Sequence, residues 1–335
     1  MRTVTDLHKF KAGRGRRLVL ALGNFDGFHL GHQKLIRYVT TQARRHDALA
    51  AALTFRNHPQ IVLHPEKEQR LLFSVGQKLF YLKQAGIDLC FAPAFTKAFS
   101  KMPPEVFVEK VLVRKLRVFE VCMGYDARFG YRRCGTTDLM RDLAGKHGFL
   151  FRKMEPVMIG GRPVSSSGLR ELVSEGKVEK VSHCLGRPFS LFGKVVRGKG
   201  RGARLGAPTA NVEVHANIQL PVGVYVASAR VIPETRWFPG VLNYGNRPTY
   251  PAFETPNPVL EMHMFDFKRK VYGKEMEIAF HHFIRPERQF GSEEALKVRI
   301  RRDIETAKRW HLGHVLGKKP FTNCGGQGIL PQPQR

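Results

Sequence analysis

The sequence predicts an α/β domain built on a parallel sheet, followed by a small β-barrel with a final helix. Three observations predict it. Short apolar runs alternate with helically spaced ones through the first half, the texture changes near residue 165, and strand-like runs cut by glycine and proline turns dominate afterwards. A length of 335 residues agrees with two domains.

Arg17–Gly23 is a short apolar run ending in glycine, as a buried parallel strand requires. Residues 30–46 carry Leu35, Ile36 and Val39 at helical spacing. Leu49–Phe55, Leu89–Phe95 and Val118–Gly124 read as further strands. Pro103 and Pro104 open a helix running through Val111 and Leu112, proline being tolerated in a first helical turn. Ser167–Val173 and Val178–Leu185 read as helices, the second ended by Gly186. Five strand-like runs follow: Phe189–Val196, Gly223–Val231, Gly240–Tyr244, Val259–Phe267 and Met276–Ile284. Ser292 caps a last helix to about Trp310, with Leu296, Ile300 and Ile304 at helical spacing. The expected domains are therefore 1–185 and 186–312, and the Gly/Gln/Pro-rich residues 313–335 are expected to be a disordered tail.

Lys and Arg number 56 against 28 Asp and Glu, a net charge of +28, while 42% hydrophobic residues mark an ordinary folded protein. No apolar run approaches the roughly 18 residues of a membrane helix. The start, Met1-Arg2-Thr3-Val4-Thr5-Asp6, lacks the order of a secretory signal. Five scattered cysteines, never in a Cys-x-x-Cys pair, argue against a disulfide framework or zinc site and point to a reducing cytoplasm. The charge fits nucleic acid, anionic lipid or phosphorylated small molecules equally.

Two constellations carry chemistry. Gly23-Asn24-Phe25-Asp26-Gly27-Phe28-His29-Leu30-Gly31-His32 joins the first strand to the first helix, where open α/β sheets bind ligands. The two histidines can face one pocket, and Gly31 between them admits a phosphate close to the backbone. Protonated or hydrogen-bonding imidazoles there would stabilise charge on a phosphoryl group in transit. A lone histidine is usually a packing or surface residue; a pair in a glycine-bracketed turn points to function. The second constellation, Arg197 to Arg204, mixes Gly198, Gly200 and Gly202 with cations and would cover a triphosphate. On those residues alone a solvated or RNA-binding hairpin reads equally well. Further on, Glu261 shares a strand face with Val259, His263, Phe265 and Phe267. Such an acid has either an arginine partner or a proton to accept.

The first motif resembles the signature of the HxGH nucleotidylyltransferase superfamily, and in its Asn24 form the bacterial bifunctional riboflavin kinase/FMN adenylyltransferase (FAD synthetase) family. Thr54–Pro59, Gly124–Gly130 and Val164–Arg170 resemble that family's later segments in order. Pro208-Thr209-Ala210-Asn211 resembles the core of its kinase signature, and Val241–Thr249, Leu260–Phe267, Tyr272–Lys274 and Phe283–Phe290 resemble further kinase segments. The resemblance implies a Rossmann-like first domain and a six-stranded riboflavin kinase barrel. It also implies phosphorylation of riboflavin to FMN, adenylylation of FMN to FAD with release of pyrophosphate, ATP as co-substrate and Mg²⁺. By matching position, His29 and His32 would act on the ATP phosphates and Glu261 would be the kinase base. Gly23, Asn24, Phe25, Asp26, Asp126, Ser166, Ser167, Arg170, Gly198, Gly200 and Gly202 would bind ATP. Asn57, Arg128, Asn243, Arg247 and Arg285 would bind flavin, and Thr209 and Asn211 would hold Mg²⁺. The chain departs from the family pattern at Ser167, where threonine is usual, and at Ala127 and Ala207, where phenylalanine is usual. One alternative is therefore that only one activity is retained. The other, a basic nucleic-acid-binding protein, is disfavoured by the dispersed charge and the lack of a nucleic-acid motif; small molecules are the expected partners, and no membrane.

Overall fold

The computed structural model describes residues 1–11, 17–66, 71–198, 200–214, 218–246 and 258–316. Residues 313–316 of the expected disordered tail instead continue the last helix, to Leu316, while residues 317–335 and Arg247 lie outside the described residues. In chain order the strands are β1 (Arg2–Val4), β2 (Leu18–Leu22), β3 (Leu49–Leu53), β4 (Leu89–Phe91), β5 (Val118–Gly124), β6 (Leu150–Met154) and the short pair β7 (Met158–Ile159) and β8 (Arg162–Pro163). They continue as β9 (Phe189–Val196), β10 (Ala210–Val214), β11 (Gly223–Val231), β12 (Phe238–Asn246), β13 (Pro258–Met264) and β14 (Glu275–Pro286). The described residues divide into two compact units, Met1–Ser166 and the residues from Ser167 onward. The helices Ser166–Ser174 and Val178–Leu185, placed before the boundary in the sequence reading, thus group with the barrel from Ser167 on.

The first unit is a parallel sheet in the order β1-β4-β3-β2-β5-β6. Its central strands are apolar on both faces because both faces are covered: Val19, Leu20, Ala21, Ala51, Ala52, Leu53, Cys90 and Phe91 are all fully buried. The helix Leu30–Arg45 contributes Leu35, Ile36, Val39 and Ala43 to that cover. Strand order reverses at β2. Leu22 is level with Leu53 of β3 on one side and Met123 of β5 on the other, so the loops after β2 and β5 leave the carboxyl edge side by side. That is the switch point at which such sheets bind ligands. The strand expected over Leu89–Phe95 stops at Phe91, with Pro93 just beyond. The helix opened by Pro103 and Pro104 runs on as a wider π-helical stretch, Phe107–Leu116, ended by Arg117 in the left-handed region.

The second unit is a closed antiparallel barrel in the order β10-β13-β12-β11-β14-β9. Val195, Val212, Tyr225, Leu242, Tyr244, Leu260, Met262, Ile278 and Phe280 are buried along its strands. The two phenol tips are satisfied: Tyr225 donates to the Pro221 carbonyl at 2.6 Å and Tyr244 to that of Ile218 at 2.9 Å. Outside, the last helix Glu293–Leu316 lays Ile304, Ala307 and Trp310 on Val224, Val226, Val241 and Phe265. Ser292 caps it as expected, accepting from the Ala295 N–H at 3.1 Å. The face assigned to Glu261 needs one correction. β13 ends at Met264 and Asp266 turns the chain in the left-handed region (φ 55°), so Phe267 does not continue that face.

The last helix is also held by charge. Asp303, 5% exposed, accepts from the Arg285 guanidinium at 2.7 Å and lies 3.0 Å from Nε of Arg299. Removing the shared carboxylate leaves two cations facing each other in a largely dry place. Asp303→Ala is therefore expected to destabilise the barrel unit by about 3–5 kcal/mol, read as a lowered denaturation midpoint by circular dichroism.

Candidate active sites

His29 is the N-cap of the helix Leu30–Arg45, and its Nδ1 accepts from the His32 N–H at 3.4 Å. An accepting Nδ1 in a neutral imidazole leaves the proton on Nε2, so the ring presents a donor at its far end. The two rings stack with centroids 3.7 Å apart, and Phe25 packs edge-on to His32 at 5.3 Å. Burial pushes His29 down to about 4 and holds His32 well below the usual imidazole range, with His29 and Lys78 adding to the effect on His32. Of the two expected modes, protonated or hydrogen-bonding, the environment selects the neutral, hydrogen-bonding one. Nδ1 of His32 is buried without a hydrogen-bond partner. Gly31 has a second reason beyond phosphate approach: a Cβ there would sit 3.1 Å from the His29 ring.

The loop before the pair is strained. Phe25 (φ 52°) and Phe28 (φ 44°) both occupy the left-handed region, at a cost on the order of 1–2 kcal/mol each. Its neighbours hold it there. The Asp26 carboxylate accepts from the Leu72 and Phe73 N–H groups, each at 3.1 Å, and the Asp26 carbonyl accepts from the Ser166 hydroxyl at 2.8 Å. Asp26, expected to meet ATP, is instead turned inward at 5% exposure, and it shapes the loop. Gly23 lies against the Phe25 ring, where a Cβ would come within 3.2 Å, and the carbonyl of exposed Asn24 accepts from the Thr54 hydroxyl at 3.1 Å. Asp126 and Arg128 follow β5 and are exposed beside this loop's edge of the sheet. Ser167 and Arg170 stand in the first turns of the helix Ser166–Ser174.

Asn57 also differs from expectation. Its amide donates to the Phe95 carbonyl at 2.9 Å and accepts from the Phe95 N–H at 2.8 Å, so both polar atoms are occupied. What it positions is an aromatic trio that sequence reasoning missed. Phe55, Phe95 and Phe99, all partly exposed, pack with ring centroids 4.9, 5.2 and 5.8 Å apart at the ends of β3 and β4. The available signal was a phenylalanine just past each of two strands.

In the barrel, strand register does the assembly. Asn211 of β10 is level with Glu261 of β13, and Glu261 is level with Asn243 of β12. Level residues on neighbouring strands share a face, with Cβ atoms about 5 Å apart. Glu261 is exposed and has no hydrogen bond or ion pair among the described residues. The glycine-rich loop closes directly on the neighbouring signature. A Cβ on Gly198 would fall 2.2 Å from the Asn211 amide, and one on Gly202 2.9 Å from the Thr209 hydroxyl. Gly200 (φ 69°) turns the loop in open space. His263 pairs with the Pro208 carbonyl at 2.8 Å, tying this run to β13. Arg285, expected at the flavin, is occupied by Asp303 and by the Pro286 carbonyl at 3.0 Å. Thr209 and Asn211 offer neutral oxygens beside a carboxylate, and the glycines bring backbone against them. This donor set fits Mg²⁺, which takes oxygen ligands and completes its shell with phosphate and water. Among the described residues no cluster of three His, Cys, Asp or Glu side chains could hold a metal.

Fold and sites define a two-unit protein of phosphate transfer, an HxGH-type α/β unit joined to a kinase-type barrel. The FAD synthetase family model matches residues 12–168 and the riboflavin kinase model residues 185–311. A Haemophilus influenzae protein named bifunctional riboflavin kinase/FMN adenylyltransferase is 33% identical over 86% of this chain and 92% of its own length. The proteins of that name from Escherichia coli K12 and Bacillus subtilis are 30% and 33% identical, each over 92% of this chain and over 98% and 96% of their own lengths. The chain belongs to the bifunctional riboflavin kinase/FMN adenylyltransferase family. A crystal structure described as a macrolide-efflux protein from Streptococcus pneumoniae superposes with a TM-score of 0.79 at 24% identity, over 92% of this chain and 99% of that one; the likeness shows the fold alone. No helix among the described residues is long and apolar enough to cross a membrane.

The imidazole pair gives a direct check. Because His29 is held at about 4 in the folded chain against an ordinary 6.5, the unfolded chain binds more protons between those values. This histidine's contribution to stability is thus present above pH 6.5 and lost as pH falls toward 4. Nitrogen NMR of the side chains is expected to show His29 as the Nε2–H tautomer with a midpoint near 4; a midpoint near 6.5 would contradict the geometry.

Proposed function

We propose that the barrel phosphorylates riboflavin to FMN and that the first unit transfers AMP from ATP to FMN, releasing pyrophosphate and forming FAD. The observation that carries the kinase reading is the exposed Glu261 carboxylate, unpaired among the described residues and level with Asn211 and Asn243. There the Glu261 carboxylate accepts the proton of the riboflavin 5′-hydroxyl while that oxygen bonds to the γ-phosphorus and the bond to ADP breaks. Thr209 and Asn211 hold Mg²⁺, which when bound neutralises triphosphate charge. Backbone N–H groups around Gly198, Gly200 and Gly202 cradle the phosphates, and Asn243 and Arg247 orient the flavin. The stacked, neutral His29–His32 pair supports the adenylyl-transfer reading. There a phosphate oxygen of FMN bonds to the α-phosphorus of ATP and pyrophosphate leaves, with Nε2–H of His29 donating to the crowded oxygens. Asn24, Ser166 and Asp126 line the nucleotide, and Phe55, Phe95 and Phe99, packed edge to face, offer an apolar surface for the flavin.

The test is incubation of the purified chain with riboflavin, ATP and Mg²⁺, with products separated by chromatography. FMN followed by FAD is expected. Glu261→Gln should lower FMN formation about 10²–10⁴-fold while leaving adenylylation of supplied FMN intact. His29→Ala should lower FAD formation about 10²–10³-fold and spare FMN formation. If one substitution stopped both reactions in a folded chain, the assignment of sites to units would be wrong. Gly198→Ala, which drives a methyl into the Asn211 amide, is expected to raise KM for ATP in the kinase step alone.

A further inference from the structure

The first unit holds a cation that no motif announces. Lys78 lies on the helix Val75–Gln84, only partly exposed, with its ammonium drawn inward. It donates to the Phe55 carbonyl at 2.8 Å and to the Thr54 hydroxyl at 3.2 Å. Both acceptors are neutral, and no carboxylate forms an ion pair with Lys78 among the described residues. Three groups face it from the packed elements: Asp26 from the loop after β2, Cys90 from β4 and His32 from the first helix. The Asp26 carboxylate is already engaged by the Leu72 and Phe73 N–H groups. Burial pushes the ammonium down to about 8, against the opposing pull of Asp26 and Cys90.

Position gives this cation its meaning. The Thr54 hydroxyl that receives Lys78 passes its own proton to the Asn24 carbonyl of the histidine loop, and Phe55 belongs to the aromatic trio. Lys78 therefore joins the imidazole pair to the aromatic trio. Its ammonium has three N–H groups and two are occupied. A desolvated cation with only neutral partners is held at a cost that an arriving anion relieves. We propose that Lys78 contacts a phosphate oxygen of the substrates in adenylyl transfer, supplying the positive charge that the neutral histidines do not. The inference rests on the adenylyl-transfer reading of this unit. Lys78 stays protonated throughout, stabilising charge without moving a proton.

The experiment measures FAD formation from FMN and ATP for the full chain, Lys78→Met and Lys78→Arg between pH 7 and 9.5, with circular dichroism as the folding control. Phosphate binding raises the pKa of Lys78, so the free protein binds best below about 8. For the unaltered chain kcat/KM should fall as pH rises through 8, approaching tenfold per unit. Lys78→Arg should keep activity within about tenfold and lose that falling limb, arginine staying charged. Lys78→Met should lose at least 100-fold. A raised KM for ATP assigns the contact to the triphosphate, and a raised KM for FMN to the acceptor phosphate. If the unaltered chain makes FAD but Lys78→Met stays within threefold, or if the unaltered profile is flat to pH 9.5, this inference fails and the adenylyl-transfer reading stands. A chain that makes no FAD at all overturns both. Should Lys78→Met fold poorly, the unaltered and Lys78→Arg profiles decide alone.

Discussion

Both sites depend on one constraint: a phosphate can meet backbone N–H groups only where no Cβ stands in the way. Gly31 lies tightly under the His29 ring, while Gly198 against the Asn211 amide and Gly202 against the Thr209 hydroxyl leave no room for a Cβ. In each place the glycine brings bare backbone and a functional side chain into one small volume. The surrounding structure exists to hold that closeness. In the first unit the Asp26 carboxylate and the Ser166 hydroxyl fix a loop with two phenylalanines in the left-handed region. In the barrel, His263 and the β10–β13 register fix the loop's counterpart.

Much of this was legible in the sequence, and the part that was not has identifiable causes. Strands β2, β3 and β5 announce themselves because strands covered on both faces must be apolar throughout. β1, three residues at the sheet edge, and β6, whose alternate residues are exposed, carry no such run. Motif matching singled out Asn211, Glu261 and Asn243 one by one, but only register shows that they stand in one row. Motifs also say nothing about whether a polar side chain is free. Arg285 matches a functional pattern, yet its fork is closed by Asp303 from the last helix. Asn57 matches too, yet Phe95 occupies both ends of its amide. Such partners lie far along the chain, and a local pattern cannot report them.

Charge within the site also departs from what composition suggests. A chain with a net charge of +28 might be expected to grip phosphates with protonated side chains throughout. The histidine pair does the opposite, being too desolvated to hold protons at neutral pH. Neutral donors fixed in a dry site need no counterion before substrate arrives, and they lose little to reorganisation when charge grows on the phosphoryl oxygens. Lys78 is a partly buried cation near the pair, bonded to the Thr54 hydroxyl and the Phe55 carbonyl.

The two proposed reactions make different demands on a base, and the two sites differ in the corresponding way. A riboflavin hydroxyl is a poor nucleophile until it loses a proton, so a kinase site needs an acceptor, and Glu261 is exposed and unpaired among the described residues. An FMN phosphate is already an anion at neutral pH. It needs no base, and imidazoles held well below their usual range by burial would be poor ones. The carboxylate in the first constellation, Asp26, is instead turned inward, where it accepts from the Leu72 and Phe73 N–H groups. The two units thus place these carboxylates differently, Glu261 exposed on its strand and Asp26 turned into its loop.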